Sequence, residues 1–249
     1  EALSNHLVAE FLGDMFLASP LLAERAQREQ VLATIARRAE QVRRRHGSEA
    51  HLLANLLHAL GRACTAIDAW PAAEALLLEA AALRERTFGA ASVERALSLG
   101  SLGQLYHRQG RLAEAATALR EAHRLHRECP PDVHTDVALA ANDLAAVERA
   151  LGNSGRAREL HQEALSLRRQ SGDPVLLAES LNNLANSEPD LQVARRQLEE
   201  ALRLRGELLG PQDPLTIQSL ANLGTLCLRL GALAEARQHL QAAVDGARS

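Results

Sequence analysis

The sequence predicts an all-helical solenoid of about five helix pairs, preceded by capping helices. The 249 residues are 47% hydrophobic but only 2% aromatic, and leucine and alanine far outnumber isoleucine and valine. This composition favours helices over strands. A leucine followed by a tiny residue recurs five times at intervals of 39 to 42 residues, and a pair of alanines follows each copy. A fixed period of this length is typical of repeat architectures.

The first helix of each pair carries the leucine and the tiny residue. Two antiparallel helices approach closely only where one of them presents a small side chain to the ridge of the other. We therefore expect the tiny residue to form a packing notch. The five copies are Leu60-Gly61, Leu102-Gly103, Leu144-Ala145, Leu184-Ala185 and Leu223-Gly224.

The second helix of each pair carries two alanines seven residues apart, which places both on one helix face. The first alanines are Ala73, Ala115, Ala157, Ala194 and Ala236, and the second are Ala80, Ala122, Ala164, Ala201 and Ala243. Between them lies a leucine, or His161 in the third copy. The fourth copy lacks three residues between its helices, and Pro189 should end its first helix early. In the third and fourth copies Glu148 and Glu188 occupy the slot that holds Tyr106, Cys64 or Cys227 elsewhere.

These residues resemble the tetratricopeptide repeat (TPR) in the longer form found in kinesin light chains. The second copy, from Leu99 through Tyr106 to Ala115, and the last copy, from Ser219 to Ala236, match it best. The segment Leu209-Gly210-Pro211-Gln212-Asp213-Pro214 resembles the linker between such repeats. The resemblance covers residues 50 to 246 and implies a right-handed superhelix. We place the repeats near residues 50–90, 96–130, 138–171, 178–209 and 217–246.

Residues 1–48 do not fit the repeat, and we assign them to an N-terminal linker with capping helices, leaving 49–249 as the solenoid. The first repeat of a solenoid has an open apolar end, which a helix from about Ala23 to His46 could cover. The segment Val8–Phe16, followed by Ser19-Pro20, resembles the junction after the catalytic domain in bacterial serine/threonine kinases that carry kinesin-light-chain-type repeats. This resemblance implies that the chain is part of a longer protein.

The composition argues against several kinds of chemistry. All 28 basic residues are arginine, which removes any Schiff-base, P-loop or kinase lysine. Cys64, Cys129 and Cys227 are far apart, so we expect no disulfide framework or structural zinc, and a reducing, cytoplasmic location. No apolar run is long enough to span a membrane. We expect no enzymatic activity, cofactor or metal, and the net charge of −3 argues against nucleic acid as the main partner.

Two polar clusters have alternative interpretations. Arg43-Arg44-Arg45-His46 could bind nucleic acid or an acidic partner, but it also suits the negative end of a helix dipole, and no aromatic residue nearby could stack on bases. His123, His126 and Cys129 could place three metal ligands on one helix face, but no fourth ligand is evident. We expect these histidines to lie on the outer face of their helix.

We expect the first helices to line a concave groove that binds a peptide or protein. Amides and guanidinium groups can hydrogen-bond an extended backbone, and arginine adds forked recognition of carboxylates. Asparagine is a poor helix former, so its recurrence in these helices requires a reason. In kinesin light chains, asparagines in the slots of Asn183 and Asn222 contact the cargo peptide, which is what the resemblance implies here. The predicted partner-binding residues are Arg62, Gln104, Arg108, Asn142, Asn182, Asn183, Asn186, Asn222, Thr225 and Arg229.

Two other functions stay open on the sequence alone. The chain could be a self-assembly or intramolecular regulatory module with no external ligand, or a hidden enzyme, which the composition disfavours. The sequence leaves the oligomeric state and the identity of the partner undetermined.

Overall fold

The computed structural model describes residues 25–128 and 134–248, which belong to two compact units, residues 1–129 and residues 130–249. All regular secondary structure within the two described ranges is α-helical, as the composition predicts. None of the helices in these ranges combines the length and the apolarity needed to cross a membrane.

Between residues 25 and 128, the first unit contains one leading helix and two helix pairs. Its helices are α1 (Arg25–His46), α2 (Ala50–Ala66), α3 (Trp70–Phe88), α4 (Val93–Arg108) and α5 (Leu112–Glu128). Helix α1 buries Ile35, Ala39 and Val42 in the same apolar cluster as Leu57 and Leu77 of the first pair. It therefore covers the apolar side of the first pair, which is the role expected for a capping helix. The segment Val8–Phe16 and Ser19-Pro20 lie outside the described residues.

The described part of the second unit, residues 134–248, contains three helix pairs. Its helices are α6 (His134–Ala150), α7 (Ser154–Ser171), α8 (Pro174–Ala185), α9 (Leu191–Leu209), α10 (Pro214–Arg229) and α11 (Leu233–Arg248). Three of them are preceded by an aspartate whose side chain accepts hydrogen bonds from backbone N–H groups of the first turn. These N-caps are Asp173, Asp190 and Asp213. Such caps satisfy donors that have no partner within the helix. Apolar clusters join α8 to α9 and both to α10 and α11.

The tiny residues form the packing notches that the repeat predicts. A Cβ atom added to Gly61 or Gly224 would lie 2.7 Å from Cγ of the leucine on the facing second helix, Leu77 or Leu240. Gly103 has the same relation to Leu119. The first alanine of every second helix is also fully buried. The leucine between the two alanines therefore packs directly over the notch.

The turns within the pairs share one conformation. The residue eight positions after the repeat leucine has a positive φ in four copies, namely Asp68, Gly110, Gly152 and Gly231. Its successor donates a backbone hydrogen bond of 2.8–2.9 Å to the carbonyl five residues earlier, closing the helix end. The fourth copy lacks these residues. Helix α8 ends at Ala185 after 12 residues, where the other first helices have 16 or 17, and this confirms the early end predicted from Pro189.

Candidate functional site

The residues predicted to bind a partner all lie on, or directly follow, the first helices of the pairs. In the first unit they are Arg62 on α2 and Gln104 and Arg108 on α4. In the second unit Asn142 lies on α6, Asn182 and Asn183 lie on α8, Asn186 caps its C-terminus, and Asn222, Thr225 and Arg229 lie on α10.

In the first unit the two arginines differ in their surroundings. Arg108 is ion-paired with Asp68 at 3.1 Å, and its guanidinium lies over the Trp70 ring at 5.6 Å. Arg62 is exposed and forms no hydrogen bond or ion pair within the described part of this unit. Gln104, on the same helix as Arg108, is half-buried. Arg62 is therefore the cationic group of this set that remains open to a partner.

In the second unit, two of the predicted asparagines are buried between helices, which corrects their assignment to an open groove. Asn182 is 3% exposed, and its Oδ1 accepts a hydrogen bond of 3.0 Å from Nδ2 of Asn222 on the next first helix. Asn142 is 6% exposed; its Nδ2 donates to Oγ of Ser180 at 3.4 Å and its Oδ1 lies 3.1 Å from Nδ1 of His161. Asparagine recurs at these places because its amide bonds one helix to its neighbours.

The remaining polar residues of α8 and α10 form what we name the α8–α10 face, comprising Asn183, Asn186, Asn222, Thr225 and Arg229. The Asn222–Asn182 hydrogen bond joins the two helices directly. Asn183 is half-buried, Asn186 and Arg229 are exposed, and none of these three side chains hydrogen-bonds to a described residue. Thr225 donates to the Ala221 carbonyl of its own helix at 2.9 Å. The face therefore presents amide donors and acceptors beside one free guanidinium.

A recurring buried arginine was not predicted from the sequence. In the first unit Nη1 of Arg84 donates to Oγ of Ser98 at 2.7 Å and to the Glu94 carbonyl, and Nη2 donates to Oδ1 of Asn55 at 2.9 Å. Burial lowers the pKa of Arg84 to about 10, although the negative charge of Glu94 acts in the opposite direction. Asn55 on the first helix α2 is thus an acceptor for this buried arginine.

Arg205 of the second unit repeats the arrangement, donating from Nη1 to Oγ of Ser219 at 2.8 Å and to the Leu215 carbonyl at 3.0 Å. Arg168 occupies the same slot and is 2% exposed, but its Nε and Nη1 have no hydrogen-bond partner among the described residues. The sequence signal is a basic residue four positions after the second alanine, found at Arg84, His126, Arg168 and Arg205.

Two histidines form polar contacts inside the helix stack. Nε2 of His58 lies 2.8 Å from Oγ of Ser101 on the next first helix. Burial and the charges of Arg84 and Arg62 lower the pKa of His58 to about 3. Burial and the charge of Arg149 lower the pKa of His161 to about 4. Both imidazoles are therefore neutral at physiological pH.

The other polar clusters are structural. His123 and His126 are buried, so their predicted place on the outer face of α5 is wrong. No metal-binding group of three or more histidine, cysteine or acidic residues occurs within residues 25–128 and 134–248, and Cys129 lies outside these ranges. Cys64 and Cys227 are buried, and burial raises the pKa of the Cys64 thiol to about 11.

The basic cluster at the end of α1 is partly neutralised within the protein. Nε of Arg43 donates to Oε1 of Glu79 on α3 at 3.0 Å, and Nε of Arg44 lies 3.0 Å from Oε1 of Glu40. Four basic residues in the last turn also suit the negative end of the helix dipole. These contacts favour a structural role for the cluster over nucleic-acid binding.

Comparison with family models gives two matches, both described as tetratricopeptide repeat. One covers residues 52–128 and 190–249, more than half of the chain, and the other covers residues 137–171. No curated protein matches the chain.

Solved structures resemble the fold at low sequence identity. BtubC (BKLC) from P. vanneervenii has a TM-score of 0.74 and 24% identity, over 88% of this chain and 90% of that one. A Podospora anserina protein with nearly identical TPR-like repeats, assigned as a kinesin light chain, has a TM-score of 0.66 and 20% identity, over 76% and 92% of the two chains. The Rap conjugation gene regulator of plasmid pLS20, in complex with the Phr* peptide, has a TM-score of 0.63 and 14% identity, over 82% and 56%.

Proposed function

The chain belongs to the tetratricopeptide repeat family, and on that premise we propose that it is a scaffold that binds a peptide or protein partner along its first helices. Repeats of this fold are non-catalytic interaction scaffolds, in agreement with our expectation that the fragment is not an enzyme. The α8–α10 face is the surface we assign to the partner, with Arg62 of the first unit as a second candidate contact.

One observation carries this assignment. Asn183 lies half-buried on α8, and neither its amide N–H groups nor its carbonyl oxygen bonds to a described residue. Asn142 and Asn182, which resemble it in sequence, are both engaged in hydrogen bonds between helices. A partly buried amide without a partner is costly unless water or a ligand satisfies it. Unlike Asn142 and Asn182, Asn183 therefore keeps its hydrogen-bonding capacity for a partner.

The chemistry of the face indicates the kind of partner. Asn183 and Asn186 offer donors and acceptors, as the backbone of an extended segment requires. The guanidinium of Arg229 can form two parallel hydrogen bonds to a carboxylate of the partner. The Rap regulator of similar fold is solved with a peptide, which supports a peptide as ligand of this architecture. We propose an extended protein segment as the ligand, with no role for nucleic acid.

We further propose that the chain is the docking or regulatory tail of a bacterial serine/threonine kinase that acts in the cytoplasm. The support is the resemblance of the segment Val8–Phe16 and Ser19-Pro20 to the junction that follows such catalytic domains. Sequencing the gene upstream of the codon for Glu1 tests this. A kinase catalytic domain in the same reading frame would support the proposal, and a stop codon or an unrelated domain would overturn it.

The binding proposal is tested with a partner captured by the purified fragment and identified by mass spectrometry. Titration with the wild type, Asn183→Ala and Gln162→Ala compares the α8–α10 face with an exposed amide on the second helix α7. We expect Asn183→Ala to weaken binding by about tenfold, because one lost hydrogen bond of about 1.4 kcal/mol is one decade in affinity. Gln162→Ala should leave binding unchanged. Equal affinities for all three proteins would place the partner elsewhere.

Asn222→Ala is a less specific probe than the sequence alone indicated. Nδ2 of Asn222 donates to the buried Oδ1 of Asn182, so the substitution leaves that oxygen without its partner. This should cost about 1–3 kcal/mol of stability. Loss of binding in that variant would therefore combine a local folding defect with the loss of a contact.

A further inference from the structure

A polar bridge joins neighbouring first helices at two places in the stack. In both, the residue two positions before a repeat leucine bonds to the residue directly before the next repeat leucine. In the second unit Nδ2 of Asn222 donates to Oδ1 of Asn182 at 3.0 Å. In the first unit Nε2 of His58 lies 2.8 Å from Oγ of Ser101. The same two slots therefore supply a hydrogen bond between first helices in each unit.

Helices α6 and α8 carry asparagines in both of these slots, yet no such bridge joins the two side chains. The slots hold Asn142 and Asn183. Nδ2 of Asn142 donates to Oγ of Ser180 at 3.4 Å instead, and its Oδ1 lies 3.1 Å from Nδ1 of His161. Asn183 bonds to no described residue. Its amide therefore stays free because its counterpart on α6 bonds elsewhere.

The junction differs from the other two in the second helix that faces it. Between the paired alanines, α3 and α9 carry Leu77 and Leu198, which cannot hydrogen-bond to a first helix. Helix α7 carries His161 in that slot, and this residue is 4% exposed. Because Oδ1 of Asn142 can only accept, Nδ1 of the neutral imidazole carries the proton and donates it to this oxygen. The histidine therefore holds the asparagine on the side of α7.

The same contact accounts for the unpaired guanidinium of Arg168. Arg84 and Arg205 each donate to a serine of the next first helix. The serine in that slot of α8 is Ser180, which bonds to Asn142, and Nε and Nη1 of Arg168 have no partner among the described residues. Two departures from the repeat thus occur together at the junction that contains the histidine of α7.

We propose that His161 is a positioning residue of the α8–α10 face, because it holds Asn142 and so leaves the amide of Asn183 available to the partner. This inference rests on the proposed function and adds to it the residue that keeps one amide of the face free. A leucine at position 161 would release Asn142, which would then bond to Asn183 as Asn182 bonds to Asn222. That bond would occupy the group that the partner requires.

The free protein tests the first step of this proposal without any partner. In isotope-labelled protein, the side-chain amide resonance of Asn183 reports a new hydrogen bond through its chemical shift and its exchange with water. Exchange should be at least about tenfold slower in His161→Leu than in the wild type, because a hydrogen bond of about 1.4 kcal/mol corresponds to one decade. His161→Asn keeps a donor at the place of Nδ1 and should resemble the wild type. An unchanged Asn183 resonance in His161→Leu would overturn the proposal.

Titration with the captured partner tests the second step. His161→Leu should weaken binding by about tenfold, as Asn183→Ala does, whereas His161→Asn should bind like the wild type. Adding Asn142→Ala to His161→Leu removes the competing amide and should restore the affinity, which a general loss of packing would not allow. Melting curves confirm that each variant folds.

The outcomes separate this inference from the binding proposal. If Asn183→Ala weakens binding and His161→Leu does not, the role of His161 is overturned while the α8–α10 face stands. If neither variant weakens binding, the partner docks elsewhere, and the exchange measurement on the free protein alone decides whether His161 keeps Asn183 free. Failure of Asn142→Ala to restore the affinity of His161→Leu would also overturn the proposal.

Discussion

The two glycines of α4 offer a stringent test of the notch that defines each helix pair. A Cβ atom at Gly103 would lie 2.8 Å from Cδ2 of Leu119 and closer still to its Cγ, whereas one at Gly100 would meet nothing within 4 Å. Replacing either glycine with alanine raises helix propensity by about 1 kcal/mol. Only Gly103→Ala also overpacks the contact between α4 and α5, at a cost of about 1–3 kcal/mol.

The propensity gain is common to both variants and cancels when they are compared. Gly100→Ala should therefore be the more stable of the two by about 1–3 kcal/mol, and more stable than the wild type. Urea denaturation followed by circular dichroism gives the free energy of unfolding of all three proteins. Equal stabilisation by both substitutions would refute the close approach of α4 and α5 at Gly103.

Two further predictions concern buried cationic and titratable groups. Arg84→Met should lower the free energy of unfolding by about 1–3 kcal/mol, because it removes the donor that bonds to Ser98 and Asn55. Arg168→Met should lower it little or raise it, because Nε and Nη1 of Arg168 already have no partner among the described residues, and urea denaturation compares the two variants. The pKa of His161 falls from 6.5 to about 4 on folding, so the unfolded chain binds a proton that the folded protein does not. Stability should therefore drop as pH falls from about 6.5 towards 4, by about 2 kcal/mol at pH 5, and His161→Gln should remove this component; equal pH dependence in both proteins would contradict the assignment.

The helix pairs could be predicted from the sequence because their determinants are local and periodic. Leu102-Gly103 and Ala115 lie within one pair, so their spacing alone indicates which surfaces meet. Pro189 likewise acts on its own helix, and α8 ends four residues before it. In each case the physical constraint involves residues of a single repeat.

The candidate site was only partly predictable because its hydrogen bonds join different repeats. Asn182 and Asn183 are adjacent and chemically identical, yet Asn182 bonds to Asn222 forty residues away while Asn183 has no partner among the described residues. The buried Arg84 was overlooked for the same reason, since its acceptor Ser98 belongs to the next pair. A polar residue on a helix is expected to be exposed unless a neighbouring helix covers it.

The central claim is that a partner binds along the first helices at the α8–α10 face. Site-specific photo-crosslinking tests it most directly, with a photoreactive amino acid placed at exposed Asn186, which follows α8, or at exposed Gln162 on the second helix α7. Both side chains are solvent-accessible and form no hydrogen bond with the described residues, so the fold should tolerate either substitution. We expect the captured partner to crosslink through position 186 and not through position 162. Crosslinking through position 162 alone would contradict it.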